Sequence, residues 1–141
     1  MSEITAATTE DMLELGGRLS EISAPGMVIA LTGSLGAGKT TLVKGIAEGL
    51  GIKQAVTSPS FTIIKEYYEG RLPLFHMDLY RIDNYEELYM IGFEELIYGI
   101  GLSIIEWSEK AEELIPPDAV GIEIKILSDG RRTVFLNGIK L

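Results

Sequence analysis

The segment Gly33-Ser34-Leu35-Gly36-Ala37-Gly38-Lys39-Thr40 fits G-x-x-x-x-G-K-[ST], a spacing suited to holding a polyphosphate. Glycines accept backbone angles that other residues resist, so successive N–H groups of Gly36, Ala37 and Gly38 can turn inward on an anion. The helix expected to follow adds its free N–H groups and the positive end of its dipole. Lys39 is placed to reach the β- and γ-phosphates, and the Thr40 hydroxyl to ligate magnesium. Thr41 adds a further contact. The bland alternative is a Gly-rich strand-to-helix turn with no ligand, but a Lys-Thr pair has no packing purpose in such a turn.

A phosphate cradle of this kind needs an acid at the end of a neighbouring strand on the metal side. Two are available. Leu102 to Glu106 is an apolar run ending in a carboxylate, and Asp78 ends the run from Leu72. Aspartate is the usual residue at this position, so Glu106 departs from the common form. Side-chain alternation places His76 and Asp78 on one strand face, where the histidine can hydrogen-bond Asp78 or a backbone carbonyl. A lone histidine is more often structural than catalytic, and no zinc site is supported. The hydroxyls of Thr57-Ser58-Pro59-Ser60-Phe61-Thr62 suit a γ-phosphate sensor or an ordinary turn. Trp107 follows Glu106 directly, with packing as its default role.

The elements around these residues read as an alternating α/β pattern. Thr8 or Thr9 caps a helix carrying Met12, Leu13, Leu15 and Leu19, which Pro25-Gly26 ends. Met27 to Thr32 is a buried strand, and the helix after the Gly-rich turn stops at Gly51. Phe61 to Tyr67 and Leu72 to Asp78 form a hairpin around Glu69-Gly70. Asp83 caps a short helix, and Phe93 to Tyr98 forms another. Val120 to Leu127 and Thr133 to Leu136 flank a second hairpin turn at Ser128-Asp129-Gly130-Arg131. The fold expected is a P-loop NTPase-like three-layer α/β domain with a central mixed β-sheet, and residues 1–141 are read as a single P-loop ATPase domain.

Composition narrows the partners. With 141 residues and 46% hydrophobic content, one compact domain with a substantial core is expected. No apolar run is long enough to span a bilayer, and no secretory signal is visible at Met1-Ser2-Glu3-Ile4, so a cytoplasmic protein away from membranes is expected. The absence of cysteine excludes disulfides and is compatible with a reducing compartment. A formal charge of −9 disfavours direct contact with a nucleic-acid backbone. It suits solvation, or steering toward a basic protein.

Four segments, in order and at similar spacings, resemble the TsaE (YjeE) family over nearly the whole chain. They are Leu35 to Thr41, Ser58 to Thr62, His76-Met77-Asp78-Leu79-Tyr80-Arg81 and Ile105-Glu106-Trp107. The P-loop alone is unspecific, whereas the ordered set is specific. The resemblance implies that Lys39 and Thr40 bind ATP and magnesium, that Glu106 ligates magnesium, and that Asp78 is needed for hydrolysis. It also implies a basic residue near the nucleotide in a late Gly-Arg turn, matching Gly130-Arg131, and a polar residue near the base around Thr9. Ser60 stands where threonine is commoner in the family, and Ser34 where an acid is common. The implied role is slow ATP hydrolysis, stimulated by a TsaB–TsaD pair. That machinery makes threonylcarbamoyladenosine beside the anticodon of ANN-reading tRNAs, so tRNA is met only indirectly.

Other classes share the motif. A small-molecule kinase needs positive groups over the transferring phosphoryl, and the central region offers only Arg81, with Arg71 in a turn. A GTPase-type switch needs a guanine reader, and no N-K-x-D segment occurs. A module that holds nucleotide and scarcely hydrolyses it is separated from a self-sufficient ATPase by measuring turnover with and without partners.

Overall fold

The computed structural model describes residues 1–59 and 61–141. The reading of Ser60 as a sensing hydroxyl therefore falls outside the described residues.

Seven strands form one sheet in the order β1-β7-β6-β2-β5-β4-β3. They are β1 (Ser2–Ala6), β2 (Val28–Gly33), β3 (Ile64–Tyr67), β4 (Leu74–Asp78), β5 (Leu102–Glu106), β6 (Val120–Ile126) and β7 (Arg132–Asn137). The central pairs β6-β2, β2-β5 and β5-β4 are parallel. The flanking pairs β1-β7, β6-β7 and β3-β4 are antiparallel, so the sheet is mixed as expected. Two strand starts differ from the sequence reading by two residues or more. Phe61 and Thr62 lie in a turn that ends in a left-handed Ile63 (φ 68°), so β3 begins only at Ile64. Pro73 donates no backbone hydrogen bond, and β4 begins after it. β1 was not anticipated at all.

Helices α1 (Thr9–Ile22) and α2 (Lys39–Leu50) cover one face of the sheet. Thr8 caps α1, accepting from Asp11 N–H at 3.1 Å, while the Asp11 carboxylate accepts from the Ala7 and Thr8 amides. Leu15 and Leu19 of α1 and Leu42, Val43 and Ile46 of α2 pack on Ile29, Leu31, Leu102 and Ile104 of the central strands. The other face carries α3 (Glu86–Met90), α4 (Phe93–Ile97) and a 3-10 helical segment, Ser108–Leu114. There Leu88, Phe93 and Ile97 pack with Phe75, Met77 and Ile105. Alternating residues of β4 and β5 thus feed two cores. Leu74, His76 and Asp78 share the α2 side with Ile104 and Glu106, and the sheet is the middle of three layers. Among the described residues no helix is long and apolar enough to cross a membrane.

Candidate nucleotide site

The carboxyl ends of the parallel strands β2, β5 and β4 converge on one edge of the sheet, the usual binding crevice of an open α/β sheet. β2 ends at Gly33, and the chain then turns through Ser34 to Gly38 into α2. Gly36 (φ 77°) and Gly38 (φ 108°) adopt left-handed conformations that a side chain would strain. Gly38 occupies the N-cap of α2 with no capping side chain, so the first amides of the helix keep their donors for a ligand.

Lys39 opens α2 and is largely buried at 6% exposure. Its ammonium donates to the carbonyls of Gly33 and Ser34 (3.2 Å to the latter) and lies 4.2 Å from the centroid of the Trp107 ring. Burial pulls its pKa below 10.5, opposed by the nearby carboxylates of Glu106, Asp78 and Glu109. The lysine is therefore a desolvated cation held among acids, with its ammonium turned onto the carbonyls of its own loop.

Asp78 and Glu106 end β4 and β5 and are direct register partners. Both are buried, and each is anchored differently. Asp78 accepts from the Tyr80 amide at 2.9 Å and the Ser58 hydroxyl at 3.2 Å. Glu106 accepts from His76 Nε2–H through its Oε2, and both side chains are shut off from solvent. The histidine thus bonds Glu106, not Asp78 or a carbonyl: it lies two residues before the Asp78–Glu106 pair, on the same face, and its ring reaches across the sheet. Removing one partner leaves the other a buried polar group without its bond, a cost of about 1–3 kcal/mol.

After Glu106 the chain turns sharply. Trp107 has φ 57°, a conformation that costs a side chain about 1–3 kcal/mol and asks for a reason. The turn lays the indole over Lys39 and 4.9 Å from the Tyr80 ring, and Lys110 holds the Tyr80 carbonyl at 2.6 Å. The result is an aromatic wall facing the Gly-rich loop.

The structure brings Gly36, Ala37, Gly38, Lys39, Thr40, Thr41, Asp78 and Glu106 together around one cleft of about 510 Å³, within the range of nucleotide-sized pockets. Ser58, Tyr80, Arg81 and Trp107 also line it. Thr9 lines an adjoining cavity of about 250 Å³ that shares Gly38 and Thr41 with the cleft. Arg131 is not brought there. It pairs with Asp129 at 2.7 Å on the exposed turn. The arginine at the loop is Arg132, which donates to the carbonyls of Gly36 (3.1 Å) and Ala37 (3.2 Å) and lines the Thr9 cavity. Strand alternation explains the exchange: the hairpin turn ends at Arg131, and Arg132, the first residue of β7, points inward.

The donor set fits magnesium with a polyphosphate. Magnesium takes one or two carboxylates plus phosphate oxygens and does not need a protein cage. A hydroxyl at Thr40 and a carboxylate at Glu106, beside the uncapped amides that open α2 and one ammonium, supply that set.

A family model described as threonylcarbamoyl adenosine biosynthesis protein TsaE matches residues 6–134. The tRNA threonylcarbamoyladenosine biosynthesis protein TsaE of Treponema pallidum (strain Nichols) is 41% identical over 127 residues, which cover 90% of this chain and 93% of that protein. The protein of the same name from Bacillus subtilis (strain 168) is 47% identical over 115 residues, covering 82% and 72%. A crystal structure of Bacillus subtilis YdiB matches with a TM-score of 0.83 and 37% identity, over 98% of this chain and 86% of that one.

Proposed function

The chain belongs to the TsaE family, and from that premise we propose that it binds and hydrolyses Mg-ATP in support of the TsaB–TsaD machinery that forms threonylcarbamoyladenosine beside the anticodon of ANN-reading tRNAs. The observation that carries this reading is the convergence of Lys39, the Gly36–Gly38 loop and the Asp78–Glu106 pair on one cleft. Residues 1–141 act in it as one ATPase domain.

Each residue has a part. The loop amides and Lys39 take up the charge of the β- and γ-phosphates, which is where catalysis of phosphoryl transfer is concentrated. Thr40 and Glu106 would hold magnesium, which when bound neutralises charge on the phosphate oxygens. Asp78, fixed by Ser58 and the Tyr80 amide, is the carboxylate assigned to the attacking water. Arg132 holds the loop from behind, and the Thr9 cavity is the place for the base. Adenine is favoured because no guanine-reading N-K-x-D segment occurs in the sequence.

The net charge of −9 supports a role exercised through protein partners, with tRNA bound elsewhere. A cytoplasmic site of action follows from the same reading, since ATP and tRNA meet there. Phosphate release measured with and without the TsaB–TsaD pair tests it. The expectation is slow turnover by the free chain and faster turnover in the assembly. Equal rates in both conditions argue against a partner-completed site.

A further inference from the structure

We infer that His76 is a positioning residue for divalent-cation binding: its Nε2–H fixes the Glu106 carboxylate through Oε2, so that the remaining oxygen is presented to the cation in the cleft. This rests on the Mg-ATP reading of the cleft and deepens it.

Three observations carry the inference. The ring is completely buried, and its one hydrogen bond is the one to Glu106; Nδ1 has no partner among the described residues. An apolar side chain of similar size would fill the same space without burying two ring nitrogens, so packing does not account for a histidine here. The second observation is the division of labour between the paired acids. Asp78 is held by Ser58 and the Tyr80 amide from the cleft side, while Glu106 is held from within the sheet by His76. The third is position. Glu106 lines the cleft and His76 does not, so the histidine acts on a ligand only through the carboxylate it orients. A carboxylate with one oxygen pinned by a buried donor meets a cation with little rotamer freedom left to lose.

The test measures mant-ATP binding by fluorescence as free magnesium is titrated, and again in EDTA. Two isosteric-amide variants decide it. In His76→Asn the amide falls where Nδ1 stood and stops short of Glu106. In His76→Gln it reaches the Nε2 position and can donate to Oε2. The Asn variant is expected to raise the magnesium midpoint about 10- to 100-fold, with metal-free mant-ATP affinity changed by less than about twofold. The Gln variant recovers most of the loss. In a Glu106→Ala background, His76→Asn adds no further shift, because the carboxylate it acts through is gone. An unchanged midpoint in His76→Asn, an equal loss in Gln and Asn, or the same added loss without Glu106 overturns the inference while leaving the Mg-ATP reading intact. A wild-type chain whose mant-ATP binding ignores magnesium overturns both.

Discussion

Asp78 and Glu106 stand side by side at the carboxyl ends of two parallel strands, each buried and each held by a different partner. Like charges so close repel, and the arrangement offsets this with separate donors and with the ammonium of Lys39, whose electrostatic neighbours include both acids. Two acids in different settings suit two roles.

Those roles are separable. Glu106→Ala is expected to weaken the magnesium dependence of ATP binding, and Asp78→Asn to leave it nearly intact. Each should lower hydrolysis by roughly 10²-fold or more. Magnesium titrations of nucleotide binding beside single-turnover hydrolysis check the split. A larger loss of magnesium response in Asp78→Asn would exchange the assignments.

Lys39 makes stability depend on alkaline pH in a definite direction. Burial lowers its folded-state pKa below 10.5, so over the window between that lowered value and 10.5 the unfolded chain binds more protons than the folded one. Within that window the lysine's contribution to folding stability rises as pH rises. Urea unfolding of the wild type and Lys39→Met from pH 7 upward should show the wild type gaining on the variant. A pH-independent difference contradicts the desolvated setting.

The two adjacent arginines should behave unlike each other. Arg132→Ala removes two bonds to the loop carbonyls of Gly36 and Ala37, and ATP affinity should fall about tenfold, corresponding to roughly 1.4 kcal/mol. Arg131→Ala breaks an exposed pair with Asp129 and should change affinity by no more than about 0.5 kcal/mol. Calorimetric titration of both variants decides which arginine serves the loop.

What the sequence made legible, and what it hid, follows from range. The loop from Gly33 to Thr40 is a local pattern, and so are the apolar runs that became β2 and β5 and the helices that flank them. Residues whose role depends on pairing were hidden. β1 has a single large apolar residue, Ile4, and is a strand because it pairs with β7 through contacts such as Ile4 with Val134. The Arg131–Arg132 exchange turned on a one-residue register at a hairpin, which flips a side chain to the other face. The His76–Glu106 bond spans 30 positions, and only the β4–β5 register creates it. Phe61 to Ile63 looked like strand because their side chains favour one, but a left-handed turn at Ile63 overrides that preference.

The contact between α1 and α2, which seats the loop, depends on missing side chains. A Cβ on Gly45 would lie 2.4 Å from the Leu13 carbonyl oxygen, whereas a Cβ on Gly17 meets nothing within 4 Å. Gly45→Ala should destabilise the fold by about 1–3 kcal/mol through overpacking. Gly17→Ala should be neutral or stabilise by about 0.5–1 kcal/mol, the ordinary helical gain over glycine. Thermal or urea unfolding of the pair reads the difference.

The central claim is that the bend between β2 and α2 grips a triphosphate with its amides and Lys39. Isothermal titration calorimetry of ATP with magnesium into the wild type and Lys39→Ala tests it most directly. The account predicts near-stoichiometric binding to the wild type and loss of tight binding in the variant, with the variant still folded by circular dichroism. Equal affinity in the two proteins, or no heat of binding to the wild type, contradicts it.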